Sequence, residues 1–183
     1  KTVVMGASGY SGLYKSFQDR MTVAVSQYER ENNSGITEEV LTILGEDVIR
    51  GMHDTYKEDR YLITTNLNVL IGTRIKLDSQ LMLFSGQGIP EPVNDIKVIG
   101  HGEPYGAIFI KNLWKSSMTM EQTAKLALFI LKVIKEMSLD NSVGFTDDCL
   151  PQIYYLQNLS IDNSLRTKFT QGTLSEEQLA QIW

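Results

Sequence analysis

The chain has 183 residues, of which 42% are hydrophobic and 21% charged, and a formal net charge of −5. This size buries a core without disulfides or metals. An acidic balance with no Lys/Arg cluster excludes nucleic acid as the main partner, the lone Cys149 excludes a disulfide framework or a zinc knuckle, and no apolar run is long enough to cross a bilayer. With no signal peptide in view, a cytoplasmic location is expected, and the glycosylation triplets at Asn32 and Asn158 are read as chance.

The chain opens with Lys1-Thr-Val-Val-Met-Gly6-Ala-Ser-Gly9-Tyr-Ser-Gly12. Thr2–Met5 reads as a short buried strand, followed by a tight glycine turn. A strand-like run beginning directly at Lys1 leads us to expect further residues upstream. From Tyr10 to Glu31, apolar residues at Leu13, Phe17, Met21, Ala24, Val25 and Tyr28 recur at helical spacing. The turn chemistry of Asn32-Asn33-Ser34-Gly35 ends that helix. Thr37 is placed to cap a second helix, with Glu38 and Glu39 in its first turn and apolar positions from Val40 to Met52. Two helices therefore follow each other with no strand between them.

Leu67–Ile75 and Gln80–Ser85 read as a β-hairpin, Gly86–Pro92 as a loop and Ile96–Ile99 as a further strand ending at Gly100-His101-Gly102. Glu103–Lys115 reads as a helix with Pro104 in its first turn. Thr119-x-x-Gln122 is a capping box opening a helix over Met120–Met137. That helix carries two apolar stripes, one through Ala124, Leu128, Leu131 and Ile134, the other through Leu126, Phe129, Ile130 and Val133. It is read as buried on two sides, against another layer, another subunit or a single core. Asp140–Asp148 is a polar loop, Ile153–Leu156 a strand bearing Tyr154 and Tyr155, and Ser175-x-x-Gln178 a second capping box before Trp183. Helices come in pairs and strands in runs, which defines an α+β protein with an antiparallel sheet. We expect one domain over 1–183, with 161–183 as a C-terminal extension ending in a short helix.

Gly6, Gly9 and Gly12 fit two devices. One is the phosphate cradle of a dinucleotide fold, and the stretch looks like the opening of NADP-dependent reductases of the semialdehyde-dehydrogenase type. That fingerprint needs a βαβ unit and an acidic residue ending the next strand, and here a second helix follows the first. The other device is a backbone amide that holds an oxyanion. A plain strand-to-helix turn would also use these glycines.

Val98-Ile-Gly100-His101-Gly102-Glu-Pro104-Tyr resembles the strand-to-helix turn of proteasome core subunits. Ser117-Met-Thr-Met-Glu121-Gln-Thr-Ala124-Lys-Leu-Ala127 resembles that family's following helix opening, Asp140-Asn-Ser142-Val143-Gly144 its Asp-x-x-Ser-Gly loop, and Val4-Met5-Gly6 the close of the strand before its first long helix. The loop around Asn141–Gly144 is similar to that of the Anbu type as well. The resemblance covers residues 1 to about 160. It implies the four-layer α-β-β-α sandwich of N-terminal-nucleophile hydrolases, ring assembly with identical or homologous subunits, a peptide or unfolded-protein substrate, and no cofactor or metal. Family peptidases attack with an N-terminal threonine hydroxyl whose own amine is the base.

By the same resemblance, Gly6 matches the oxyanion glycine and Asp140 the aspartate supporting the nucleophile. His101 stands where the family has a serine between two glycines, and Val143 where it has the serine before Gly144, with Ser142 one position away. The hairpin bearing the nucleophile and a lysine has no counterpart in the sequence. It is expected upstream of Lys1, the alternative being a non-catalytic ring subunit. As simple structure, His101 is a turn histidine, Asp140, Asp147 and Asp148 a solvated loop cluster able to hold a hard cation, and His53 a surface residue beside helix charges.

Overall fold

The computed structural model describes residues 3–33, 36–75 and 78–137. They divide into two compact units, one over Val3–Asn94 and one whose described part runs from residue 95 to 137.

In the first unit, strand β1 (Val3–Gly9) leads into helix α1 (Ser11–Asn32), then α2 (Glu38–Thr55), a 3₁₀ turn over Lys57–Asp59 and a short α3 (Arg60–Asn66). Strands β2 (Leu67–Ile75), β3 (Asp78–Ser85) and β4 (Pro90–Val93) follow. The sheet order is β1-β2-β3-β4, every neighbouring pair antiparallel. β1 and β2 are thus direct antiparallel neighbours joined through helices, so the opening glycines do not belong to the parallel βαβ unit that a dinucleotide cradle requires.

Local chemistry accounts for the helix boundaries. Asn33 closes α1 in the left-handed conformation at φ 47°, a position that asparagine tolerates. The Thr37 hydroxyl accepts from the Val40 N–H at 3.3 Å, opening α2 as its sequence predicts. The apolar stripe of α1 enters the core through Leu13, Phe17 and Met21, and that of α2 through Leu41, Val48, Ile49 and Met52. They meet Leu67, Val69, Ile71, Met82 and Phe84 from one face of the sheet. Phe17 and Phe84 are centred 6.0 Å apart, tilted by 46°.

Strand alternation turns Val4, Gly6, Ser8, Leu70 and Leu83 to the opposite face. Leu83 is 7% exposed yet stands outside the helix-side cluster.

Three boundaries differ from the sequence reading. β1 runs to Gly9, so Gly6 lies within the strand opposite Leu70 and not in a turn. β4 occupies part of the stretch read as a loop, because Pro90 and Pro92 are compatible with an edge strand. α3 was not anticipated, since among its seven residues only Ile63 is buried and no stripe repeats.

In the second unit, Ile96–Ile99 is not a strand. The segment lies along α4 (Glu103–Leu113), where a Cβ at Gly106 would come within 2.9 Å of the Val98 side chain and Lys97 pairs with Glu103 at 2.8 Å. α5 (Met120–Met137) begins with the predicted capping box made reciprocally, Thr119 N–H to Gln122 Oε1 at 2.8 Å and Gln122 N–H to Thr119 Oγ1 at 3.2 Å. Its buried residues, Leu128, Ile130 and Ile134, come from both stripes. Phe129 is 46% exposed and meets Phe109 of α4 edge-on at 6.0 Å. Lys125 hydrogen-bonds Glu121 and its charge adds to the effect, holding that exposed carboxyl below its usual pKa. The strand at Ile153–Leu156 and the helix near the C-terminus lie outside the described residues.

Gly45 on α2 faces the Phe84 ring so closely that an added Cβ would overlap it. Gly45→Ala would favour an isolated helix by about 1 kcal/mol. In the folded chain it should instead lower the unfolding free energy by about 1–3 kcal/mol in urea denaturation, because the ring must move. Phe84→Leu in the same chain should recover part of that loss, and a gain in stability from the alanine alone would contradict the packing.

Candidate functional site

The site that the sequence singles out is the C-terminal end of β1. Gly6 is exposed, and a Cβ placed on it would meet nothing within 4 Å. The space beside it on the sheet's second face is open, flanked along the strand by Val4 and Ser8. Among the described residues the buried Ser8 hydroxyl has no hydrogen-bond partner. β1 is an edge strand among the described residues, with β2 its only strand neighbour.

Three glycines of the opening stretch do three different jobs. Gly6 leaves room. Gly9 takes φ 112°, and a Cβ there would collide with the carbonyl of Asn66 at the end of α3. Gly12 lies inside α1 beside the Tyr10 ring. Directly after Gly9, the Tyr10 N–H donates to the Asn66 carbonyl at 3.0 Å.

A matching close approach lies at the end of β3. A Cβ on Gly86 would collide with the Ile63 carbonyl, also in α3, while the Gly86 N–H donates to Leu67 O at 2.7 Å. α3 thus sits against the sheet end at two residues that must lack side chains. Asn66 and Gly86 are the site-supporting residues that the sequence reading missed. The Gly86-Gln87-Gly88 spacing is the available signal, and in the sequence it reads as a loop only.

His53 is not the surface residue expected. It is half-buried in the last turn of α2, with Nε2 2.7 Å from Gly86 O. A carbonyl only accepts, so Nε2 carries the proton. A groove of about 380 Å³ beside it is lined by Glu46, Arg50, Asp54, Arg60 and Gly88 among others. Its two arginines lie 3.1 Å from Asp47 and 3.8 Å from Asp54. It is a mixed-charge surface feature beside the Gly86–Gly88 turn.

Of the remaining predicted site residues, His101 is exposed in the turn before α4, where Gly100 takes φ 97° and its carbonyl accepts from Glu103 N–H at 2.9 Å. It belongs to the second unit and Gly6 to the first. Asp140, Ser142, Asp147 and Asp148 lie outside the described residues. Among the described residues no three His, Cys, Asp or Glu side chains are grouped to hold a metal, and no helix is long and apolar enough to cross a membrane.

An antiparallel four-stranded sheet with a helix pair packed on one face defines an α+β protein. The model of the proteasome subunit family matches residues 1–146, and the chain belongs to that family. Among solved structures, a Gly-1 mutant of Anbu from Hyphomicrobium sp. strain MC1 is similar at a TM-score of 0.61 and 18% identity, over 78% of this chain. This chain spans 59% of the Anbu chain. No curated protein sequence matches.

Two substitutions separate the framework from the site. Gly9→Ala should cost about 1–3 kcal/mol, since a strained φ and the Asn66 carbonyl both oppose it. Gly6→Ala should change stability by no more than about 0.5 kcal/mol, since its Cβ enters open space. Thermal or urea denaturation of the two variants checks both, and equal losses would contradict the geometry.

Proposed function

We propose that the protein is a subunit of a proteasome-type ring assembly that hydrolyses peptide bonds by threonine-type nucleophilic attack, at a site built at the Gly6 end of β1. The observation that carries this reading is the family match over residues 1–146; it is supported by open space beside Gly6 on β1, the glycine that by resemblance matches the family's oxyanion residue. In this reading the nucleophilic threonine stands on strands preceding Lys1, and no cofactor takes part.

The chemistry balances without a metal. The threonine hydroxyl oxygen bonds to the scissile carbonyl carbon while its proton passes to the threonine's own amine. The carbonyl π pair moves onto oxygen, where a backbone amide of β1 stabilises the charge. Collapse expels the amine product, which takes the proton, and leaves an acyl ester on the threonine. Water then attacks that ester, releasing the acid and restoring the hydroxyl.

Asp140 would hold the threonine's amine and hydroxyl in position, with Ser142 beside it in the same loop. His101, in place of the family serine, would line the approach before α4. The partners in this reading are a peptide or unfolded protein and identical or homologous ring subunits, and the setting is cytoplasmic.

The test uses the natural full-length chain. It should elute as a multi-subunit ring in size-exclusion chromatography with light scattering, and release fluorophore from peptide–coumarin substrates. An inhibitor directed at N-terminal threonine should abolish that release. Asp140→Asn should lower kcat by about 10²-fold or more, the scale of a group that steers proton transfer, with the ring intact. A strict monomer at micromolar concentration would contradict the assembly. An assembled ring inert toward both substrate and inhibitor would contradict the catalysis.

A further inference from the structure

We infer that His53 is a positioning residue for the end of β1: its ring, carried on α2, fixes the turn and the short helix that in turn fix the strand. The inference rests on the proposed peptide hydrolysis only for what the end of β1 does. The positioning itself follows from bonds within the first unit.

α3 does not place itself. It has seven residues, of which only Ile63 is buried, and a helix that short is marginal without outside support. What it places matters. The Asn66 carbonyl at its end accepts from Tyr10 N–H at 3.0 Å, and it lies where a Cβ on Gly9 would be. The end of β1 and the start of α1 therefore go where α3 goes, and Gly6 lies on the same strand.

α2, by contrast, is anchored, because Ile49 and Met52 near its end are fully buried. His53 comes directly after Met52 and reaches from that anchored end in two directions. Its Nε2–H donates to Gly86 O at 2.7 Å, and its own carbonyl accepts from Arg60 Nε at 3.4 Å. Arg60 is the first residue of α3, and Gly86 is packed against the Ile63 carbonyl in the middle of it. One residue thus ties both the start of α3 and the turn that the helix rests on.

The route from α2 to β1 runs through named bonds. His53 holds Gly86 O, Gly86 N–H donates to Leu67 O at 2.7 Å, and Asn66, the residue before Leu67, receives Tyr10 N–H. The imidazole is the side-chain link on this route, and the others are backbone. Gly86 is buried, so its carbonyl must be partnered. Gly86 and Gly88 carry no side chains and Gln87 is exposed, so the turn is gripped through its backbone. A histidine that only closed the end of α2 would need no bond to Gly86.

The test compares variants of the natural, assembled chain by hydrogen exchange with residue-level readout and by peptide turnover. His53→Leu keeps the bulk and removes the donor. Its Gly86 and Tyr10 amides should exchange at least about tenfold faster, with the core amides of α1 unchanged. Its kcat should fall by about tenfold or more with KM little changed, since a small displacement of the reacting geometry is felt in turnover. His53→Gln, whose amide N–H reaches about as far as Nε2, should bring both readouts back to within about threefold of the unmodified chain.

Faster exchange confined to Gly86, with Tyr10 unchanged, would overturn the inference. So would a glutamine variant no better than the leucine one. If the leucine variant does not fold, His53→Asn takes its place, because its amide falls short of the Nε2 position. Equal Tyr10 exchange in the asparagine and glutamine variants would then overturn the inference. If the unmodified chain hydrolyses no peptide, the proposed function fails, and exchange at Tyr10 still decides whether His53 positions β1.

Discussion

The architecture of the first unit depends on one close approach, the carbonyls of α3 against backbone that has no side chains. Asn66 lies over Gly9 and Ile63 over Gly86, each too near for a Cβ. Buried carbonyls must be partnered, and the Asn66 oxygen is taken by Tyr10 N–H, the residue after Gly9. The Gly86 N–H completes the clasp on Leu67 O, and its carbonyl accepts from His53 at the end of α2. A seven-residue helix with a single buried side chain is thereby fixed by backbone contacts where apolar packing alone would leave it loose.

That clasp sets the phase of the sheet. Once Asn66 and Leu67 are delivered to β1 and β3, the direction of every amide along β1 follows from alternation. The side-chain faces follow from the same alternation. One face carries Val3 and Met5 toward the α1–α2 core, and the other carries Val4, Gly6 and Ser8. A shift of one residue would exchange these sets and bring the open glycine onto the helix side, so the core penalises slippage strongly. The register of β1 is thus enforced by burial of Phe17, Ile49, Ile71 and Phe84.

Much of this was legible in the sequence, for identifiable reasons. α1 and α2 carry apolar residues at unbroken helical spacing, and Thr37, Asn33 and Thr119 cap as their chemistry dictates. The β2–β3 hairpin declares itself through β-branched content. What failed depended on contacts rather than composition. Ile96–Ile99 has strand-like residues, yet Val98 packs on Gly106 and Lys97 pairs with Glu103. β4 was hidden by its two prolines, and α3 by the absence of a stripe. At the site, the glycine spacing marked the right stretch but not the role of each member. Gly6 and Gly9 look alike in sequence, and only the surroundings show that one leaves room and the other avoids a collision.

The proposed reading gives that stretch its chemical meaning, and the ladder gives it a direction. The most direct test of the combined account is a crystal structure of the natural, assembled protein with a peptide boronate bound to its nucleophile. The account predicts an adduct lying along β1, with a boronate oxygen about 2.7–3.1 Å from a backbone nitrogen of that strand, the reach of an oxyanion donor. Gly6 should remain paired with Leu70. An adduct bound away from this strand altogether would contradict it.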